Sequence, residues 1–344
     1  MDKTPRGDAR SILRQQFLHA TGWRDCVQFP LPGDASFRRY IRLSKNGTPA
    51  MLMDAPPPTE NVRPFVQIAH HLLGLGFSAP KILAQDQKLG FLIIEDFGDD
   101  TFTQLLSHGA NENELYTLAT DTLAQLHQHP APDWLKPYDN NSLLKEIDLL
   151  PIWFMGAQGL ELSDHDMERY HALWCDLFTH IHRGPKTLVL RDYHVDNLMQ
   201  LSGRPDTVAC GLLDFQDALL GHPAYDLMSL LEDARRDISN VIQITMKDRY
   251  HAALNTKDRE AFDLAYAILG ACRHAKVIGI FTRLDRRDHK PHYLKHIDRL
   301  WRLLEHSLSH PILSPMKDWI DTHVPAHKRT APLAQSVKQN EEKL

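Results

Sequence analysis

An apolar run beginning at Leu188 is broken in its middle by Arg191-Asp192-Tyr193-His194-Val195-Asp196-Asn197 and resumes with Leu198, Met199 and Leu201. Ser202-Gly203-Arg204-Pro205-Asp206 then supplies a turn, and a second polar burst, Asp214-Phe215-Gln216-Asp217, follows Leu212 and Leu213. Runs of β-type residues around a Gly/Pro turn read as a short antiparallel hairpin. Such a hairpin sets Asn197 and Asp214 beside each other in space.

That pairing suits phosphoryl transfer. The reaction asks for a carboxylate that accepts the proton of the attacking hydroxyl. It also asks for one or two oxygen ligands on Mg²⁺, an ion that keeps most of its waters and phosphate ligands. Asp192 is the candidate base, and Asn197 and Asp214 are the candidate metal ligands. Asp-x₄-Asn followed by Asp-Phe-x is the pattern of kinase catalytic and metal-binding loops. A polar loop capped by Asp and Asn would explain each residue singly; the ordered combination favours the chemistry.

The 344-residue chain is long enough for two lobes, and its 42% hydrophobic and 24% charged residues are those of an ordinary globular protein. A net charge of −5 gives no bulk attraction for nucleic acid. Met1-Asp2-Lys3-Thr4-Pro5-Arg6 has no apolar h-region, and no run is expected to reach the length a bilayer requires. Cys26, Cys175, Cys210 and Cys272 lie far apart with no Cys-x-x-Cys pair, as reduced thiols of a cytoplasmic protein would. The 21 histidines show no zinc-like spacing. A monomer without nucleic-acid or membrane partners is expected.

Apolar spacing predicts a helix over 8–21, strands over 26–31 and 40–43, an Asn46-Gly47 hairpin turn and a returning strand over 50–54. A helix over 59–75 and strands over 81–86 and 90–96 complete a small β-rich lobe. From Phe97 the period changes to helical, with candidates at 112–129, 163–182, 226–236, 258–283 and 291–309. The expected division is 1–96, 97–327 and a polar tail from 328 to 344.

With this order of motifs the chain resembles the aminoglycoside phosphotransferase and choline kinase-like superfamily, relatives of protein kinases. Asp192–Asn197, Asp214–Asp217 and Gly221-His222-Pro223-Ala224-Tyr225-Asp226-Leu227 carry the resemblance. Gly33-Asp34-Ala35-Ser36-Phe37-Arg38-Arg39-Tyr40, Met53–Pro57 and Ile94-Glu95-Asp96-Phe97-Gly98 resemble, more narrowly, the bacterial N-acetylmuramate/N-acetylglucosamine anomeric kinases of cell-wall recycling. The resemblance implies an α+β, bilobal protein-kinase-like fold, with a small N-terminal antiparallel β lobe holding one main helix and a larger, mostly helical C-terminal lobe. It implies ATP and Mg²⁺ as cofactors and a sugar as substrate, phosphorylated at its C1 hydroxyl. Carried over, Asp192 is the base and Asn197 and Asp214 hold the metal. Gly33, Asp34, Ala35, Ser36 and Phe37 cover the phosphates, Glu95, Asp96 and Phe97 form the adenine hinge, and Asp226 braces the catalytic loop.

Two departures stand out. Kinases carry a strand Lys that contacts the phosphates and pairs with a helix Glu. Here Ala50–Asp54 offers Met51 and Met53, and the helix interior Phe65–His70 holds no Glu. Phosphate charge must then be met by Mg²⁺, loop amides, or Arg38, Arg39 or Arg42. The second departure is Arg191, where many relatives carry Gly. For the sugar, His194, Asp196, Gln216, Asp217, Glu232, Asp233 and Arg236 are the candidates, and Arg236, Arg273 or His274 could meet a lactyl carboxylate. A kinase for an aminoglycoside, choline or related amine is the alternative enzyme. A regulatory nucleotide-binding pseudokinase is the alternative of another class.

Overall fold

The computed structural model describes residues 5–32 and 37–334. The chain first forms helix α1 (Pro5–Ala20), strands β1 (Val27–Pro30), β2 (Arg39–Lys45) and β3 (Thr48–Asp54), and helix α2 (Arg63–Gly74). Strands β4 (Ile82–Asp86) and β5 (Phe91–Ile94) and helices α3 (Phe102–Ser107) and α4 (Glu112–Gln128) follow. Next come α5 (Asn140–Ile147), α6 (Asp164–His182), β6 (Thr187–Val189), β7 (Leu198–Gln200), β8 (Cys210–Leu212) and β9 (Leu219–Gly221). Helices α7 (Ala224–Leu231), α8 (Asn240–Leu254), α9 (Arg259–Asp288), α10 (Ile297–Leu308) and α11 (Ser314–His323) complete the order. The expected α+β make-up is present, an antiparallel sheet followed by a mostly helical remainder.

The described residues fall into two compact units. One comprises the chain up to Thr122 together with Val195–Ala218, and the other Leu123–His194 together with the chain from Leu219. This differs from a cut at residue 97, because the β7–β8 hairpin belongs to the sheet's unit. Leu212 N donates to Ser78 O at 2.8 Å and Gln200 N to Asp100 O at 2.9 Å, so backbone pairing ties the hairpin to residues 78–101.

In the first unit the antiparallel sheet runs β1-β2-β3-β5-β4. Asn46 and Gly47 turn β2 into β3 at φ of 51° and 77°, the left-handed pair an Asn-Gly hairpin favours. Successive side chains on a strand face opposite ways, and this sheet uses both faces. Ile41, Leu43, Ala50, Leu52, Phe91 and Ile93 bury against Phe17 and Leu18 of α1. Arg38, Tyr40, Arg42, Met51 and Ile94 line a cavity on the other side.

In the second unit α9 is the central helix, packed by α5, α6, α7 and α10. Its length and composition would let it cross a bilayer, contrary to the expectation from sequence, yet 83% of that apolar stretch is buried within the fold. Along α9, Gly279 permits the closest approach, since a Cβ there would sit 2.3 Å from the Leu149 carbonyl. Strands β6 and β9 pair antiparallel, Leu188 opposite Leu220. The helix expected over 226–236 stops at Leu231, and Glu232 leaves helical geometry at φ −125°, ψ 57°. The expected polar tail starts anchored, with Arg329 Nη1 donating to Glu305 Oε1 at 2.9 Å; residues 335–344 lie outside the described residues.

Candidate active site

The cavity of the first unit holds about 420 Å³. One wall is the β2–β3–β5 face, one end is Glu95–Asp99, and the far side carries Asn197, Met199, Leu213 and Asp214. The Glu95–Asp99 end is held by polar contacts. Arg42 Nε donates to Asp96 Oδ2 at 2.6 Å, and its Nη1 and Nη2 reach Asp99 at 3.0 and 2.9 Å. Arg42 Nη2 also donates to Gly98 O at 3.0 Å. Asp96 Oδ1 accepts from Gly98 N at 2.9 Å, which closes the turn. Glu95 pairs with Arg204 at 2.5 Å, and that guanidinium lies 5.4 Å from the Phe97 ring centroid. Phe97 packs on Gly211, where a Cβ would come within 2.9 Å of its ring.

The other end carries the oxygen donors. Leu198 pairs with Leu212 across the β7–β8 hairpin, and Leu213 N donates to Asn197 O at 3.0 Å. Asn197 and Asp214 therefore leave the same end of the hairpin, as its two polar bursts imply. Asp214 sits at φ 55°, half-exposed, with Gln216 Nε2 donating to its Oδ1 at 2.8 Å. A carboxylate and a carboxamide in this position suit a hard divalent cation that keeps most of its water and phosphate ligands. Among the described residues no group of three or more His, Cys, Asp or Glu could hold a metal as a closed cage.

Arg38 is the cation that sequence reasoning did not single out. Its Nε donates to Glu60 Oε2 at 3.0 Å and its Nη1 lies 3.6 Å from Asp214 Oδ1. Glu60 precedes α2 rather than lying inside it, so a search of the helix interior misses it. Phe37 exposes its side chain while its N donates to Glu60 Oε1 at 3.2 Å. The other expected phosphate-loop residues, Gly33, Asp34, Ala35 and Ser36, lie outside the described residues.

In the second unit the segment after β6 is held from behind by Asp226. The buried carboxylate accepts Leu190 N at 2.6 Å and Arg191 N at 2.8 Å. Arg191 then adopts φ 71°, which explains why Gly is at home there. Its side chain forms an ion pair with Glu146, to which Lys276 Nζ also donates at 3.0 Å. Arg273 Nη1 donates to Arg191 O at 2.8 Å and lies 3.6 Å from Asp192 Oδ1. Arg273 is buried. Burial alone would raise the Asp192 carboxyl, but Arg273, Lys276, His194 and Arg191 outweigh it and hold it down to about 2. Asp192 is thus a carboxylate at any physiological pH, with about a third of its side chain open.

The substrate candidates separate. Asp233 is buried and close enough to His194 to favour its protonation, although burial keeps that imidazole's pKa below its ordinary value. Asp233 Oδ1 accepts from Arg235 N at 2.8 Å, and Oδ2 has no hydrogen-bond partner among the described residues. Glu232 instead bonds His274 Nε2 at 2.7 Å and lines a different cavity with Tyr266, Asn240 and Gln243. That engages His274 as well. Arg236 is half-buried in the turn after α7. In the first unit, Asp196 accepts from Thr103 Oγ1, and Gln216 and Asp217 accompany Asp214.

The model of the phosphotransferase enzyme family (APH) matches residues 28–265. The chain is 34% identical to the N-acetylmuramate/N-acetylglucosamine kinase of Caulobacter vibrioides, over 93% of this chain and 98% of that one. It is 37% identical to the kinase of the same name from Pseudomonas aeruginosa, over 86% and 88% of the two chains. An ADP-bound aminoglycoside phosphotransferase shares the fold at a TM-score of 0.57 and 16% identity, covering 86% of this chain and 97% of the other. On the family match and these relatives, the chain belongs to the phosphotransferase enzyme family and is a kinase, an enzyme of a group that uses ATP on small molecules.

Proposed function

We propose that the chain is an ATP-dependent sugar kinase that phosphorylates the C1 hydroxyl of N-acetylmuramate and N-acetylglucosamine, returning cell-wall sugars to use as 1-phosphates. The observation that carries this reading is the identity of 34% over nearly all of both chains with a kinase of that name. The C1 position rests on the resemblance of Gly33–Tyr40, Met53–Pro57 and Ile94–Gly98 to anomeric kinases. ATP is assigned to the first unit's cavity, adenine at Glu95–Phe97 and phosphates toward Asp214.

The sugar hydroxyl gives its proton to Asp192 Oδ as its oxygen bonds to the γ-phosphorus, and the bond to the bridging oxygen breaks to leave ADP. An Asp192 held near 2 is a weak base at neutral pH, so its first task is orientation: it accepts the hydroxyl hydrogen bond and aims the oxygen. The proton follows as the hydroxyl acidifies in the transition state. Mg²⁺ on the Asn197 carboxamide and Asp214 carboxylate would supply neutralisation of the phosphate charge. The unpartnered Oδ2 of Asp233 is a ready acceptor for a sugar hydroxyl, and Arg236, Arg273 or His274 are the candidates for a lactyl carboxylate. The same reading makes the protein a cytoplasmic monomer with no nucleic-acid or membrane partner, in keeping with its free cysteines and net charge of −5.

The test is ADP release from Mg²⁺-ATP with N-acetylmuramate, N-acetylglucosamine, choline and kanamycin as acceptors, with phosphorus NMR of the product. An anomeric 1-phosphate of either N-acetyl sugar is expected. Turnover confined to choline or kanamycin would overturn the sugar assignment and leave the kinase in place.

A further inference from the structure

Kinase chemistry needs a fixed cation at the nucleotide phosphates, and the strand that usually supplies it offers Met51 and Met53 here. Three arginines stand nearby in sequence, and the structure separates them. Arg39 begins β2 and is exposed. Arg42 is engaged at the hinge by Asp96, Asp99 and the Gly98 carbonyl. Arg38 directly precedes β2 and lines the cavity together with Tyr40 and Arg42. Four residues, about 13 Å at a strand's rise, separate it from Arg42. One arginine thus marks the hinge end of the cavity, and the other marks the end where Asp214 stands 3.6 Å away.

The partner of Arg38 is Glu60, at 3.0 Å, with both side chains nearly buried. A lone carboxylate at that depth would be costly, and the pairing accounts for it. The pair spans the same two elements as the usual one, the sheet and the approach to α2. The cation comes from β2's leading edge instead of β3, and the carboxylate from the segment before the helix instead of its interior. The guanidinium also suits the task, because its planar fork of donors matches the geometry of phosphate oxygens.

We propose that Arg38 binds the β- and γ-phosphates of the nucleotide, with Glu60 as its positioning residue, the two replacing the absent strand Lys and helix Glu. The proposal rests on the nucleotide assignment made above. Titration calorimetry with Mg²⁺-ATP, Mg²⁺-ADP and adenosine tests it on Arg38→Met, Arg38→Lys, Glu60→Gln and the Arg38→Met/Glu60→Gln double variant. Arg38→Met should weaken ATP and ADP by about 10- to 100-fold, the loss of a charge-assisted contact, and leave adenosine unchanged. Arg38→Lys should recover part of the loss. Glu60→Gln should raise the KM for ATP several-fold, and the double variant should be no worse than Arg38→Met alone, because Glu60 acts through Arg38.

Equal losses for ATP and adenosine, or no loss for either, would overturn the assignment. Met51→Trp, which fills the cavity between the two ends, is the control on the underlying reading. If it removes adenosine binding, a silent Arg38→Met sinks Arg38 alone. If adenosine still binds at full strength, the nucleotide assignment falls, and the role of Arg38 falls with it.

Discussion

Asp192 works in a field set by its neighbours, and its chemistry follows from them. Replacing it with Asn should lower turnover by about 10²- to 10⁴-fold, the range of a positioned general base, with ATP affinity unchanged; a variant with full turnover would remove the role. With its carboxyl held down to about 2, Asp192 should give kcat/KM no acid limb above about pH 4. Arg273→Gln removes the strongest opposing charge, so the carboxyl should rise and an acid limb should enter the measurable range, moving upward and never downward. Arg191 poses a contest of magnitudes. Arg191→Gly relieves a left-handed backbone worth about 1–3 kcal/mol, but breaks a largely buried ion pair whose loss costs about 3–5 kcal/mol. Lys276 remains to partner Glu146 at 3.0 Å, which favours the low end of that loss. Urea unfolding should still find the variant less stable, by about 1–2 kcal/mol; a more stable variant would show that the backbone strain outweighs the ion pair. Asp192, Asn197 and Asp214 can be proposed from the sequence because phosphoryl transfer needs those residue types in that order. Arg38 can be named there only as one of three arginines, and its pairing with Glu60 cannot be read, because that depends on where β2 and α2 begin and no local pattern states it.

At the scale of elements, legibility followed periodicity. The β2–β3 hairpin was readable from Asn46-Gly47 and alternating apolar residues, and α6 from its apolar spacing. Helix α8 was missed because Val241 and Ile244 face solvent, 73% and 63% exposed, so its apolar residues mark no single face. Helix α5 was missed because its eight residues are too short for a pattern, and because Glu146, one of its buried positions, is polar. The β7–β8 hairpin was readable as a hairpin but not as part of the sheet's unit, since its pairing with Ser78 and Asp100 is non-local. That pairing makes Gly211 sensitive. A Cβ there meets Phe97 at 2.9 Å and Met199 at 3.0 Å, so Gly211→Val must displace Phe97, which lines the cavity. ATP and adenosine should both bind about tenfold more weakly or worse. Loss confined to ATP would place the strain at the phosphates instead.

At the scale of the whole chain the informative group is Asp226, because its charge state is coupled to folding. Burial pushes its carboxyl up to about 7, against the pull of the Leu190 and Arg191 amides and of Arg273, with Asp192 adding a little upward pressure. His127 Nε2 lies 3.9 Å away but gives it no compensating charge, since burial drives that imidazole down to about 3. In the unfolded chain the carboxyl titrates near its ordinary value of about 3.9. Between the two values the folded protein retains a proton that the unfolded chain has lost. The stabilisation is therefore full below about pH 4 and is lost as pH rises through about 7. Asp226→Asn cannot titrate, and a carboxamide has one acceptor oxygen for two amides, so one N–H is left unmet at a cost of about 1–3 kcal/mol. The variant should be less stable than the parent at pH 5, and the gap should narrow as pH rises to 8. Urea unfolding of both proteins at matched pH isolates the group, because titrating residues that do not sense Asp226 cancel in the difference. A gap that stays constant across that range would mean that Asp226 is ionised in the folded protein throughout, its two amides and Arg273 having overcome its burial.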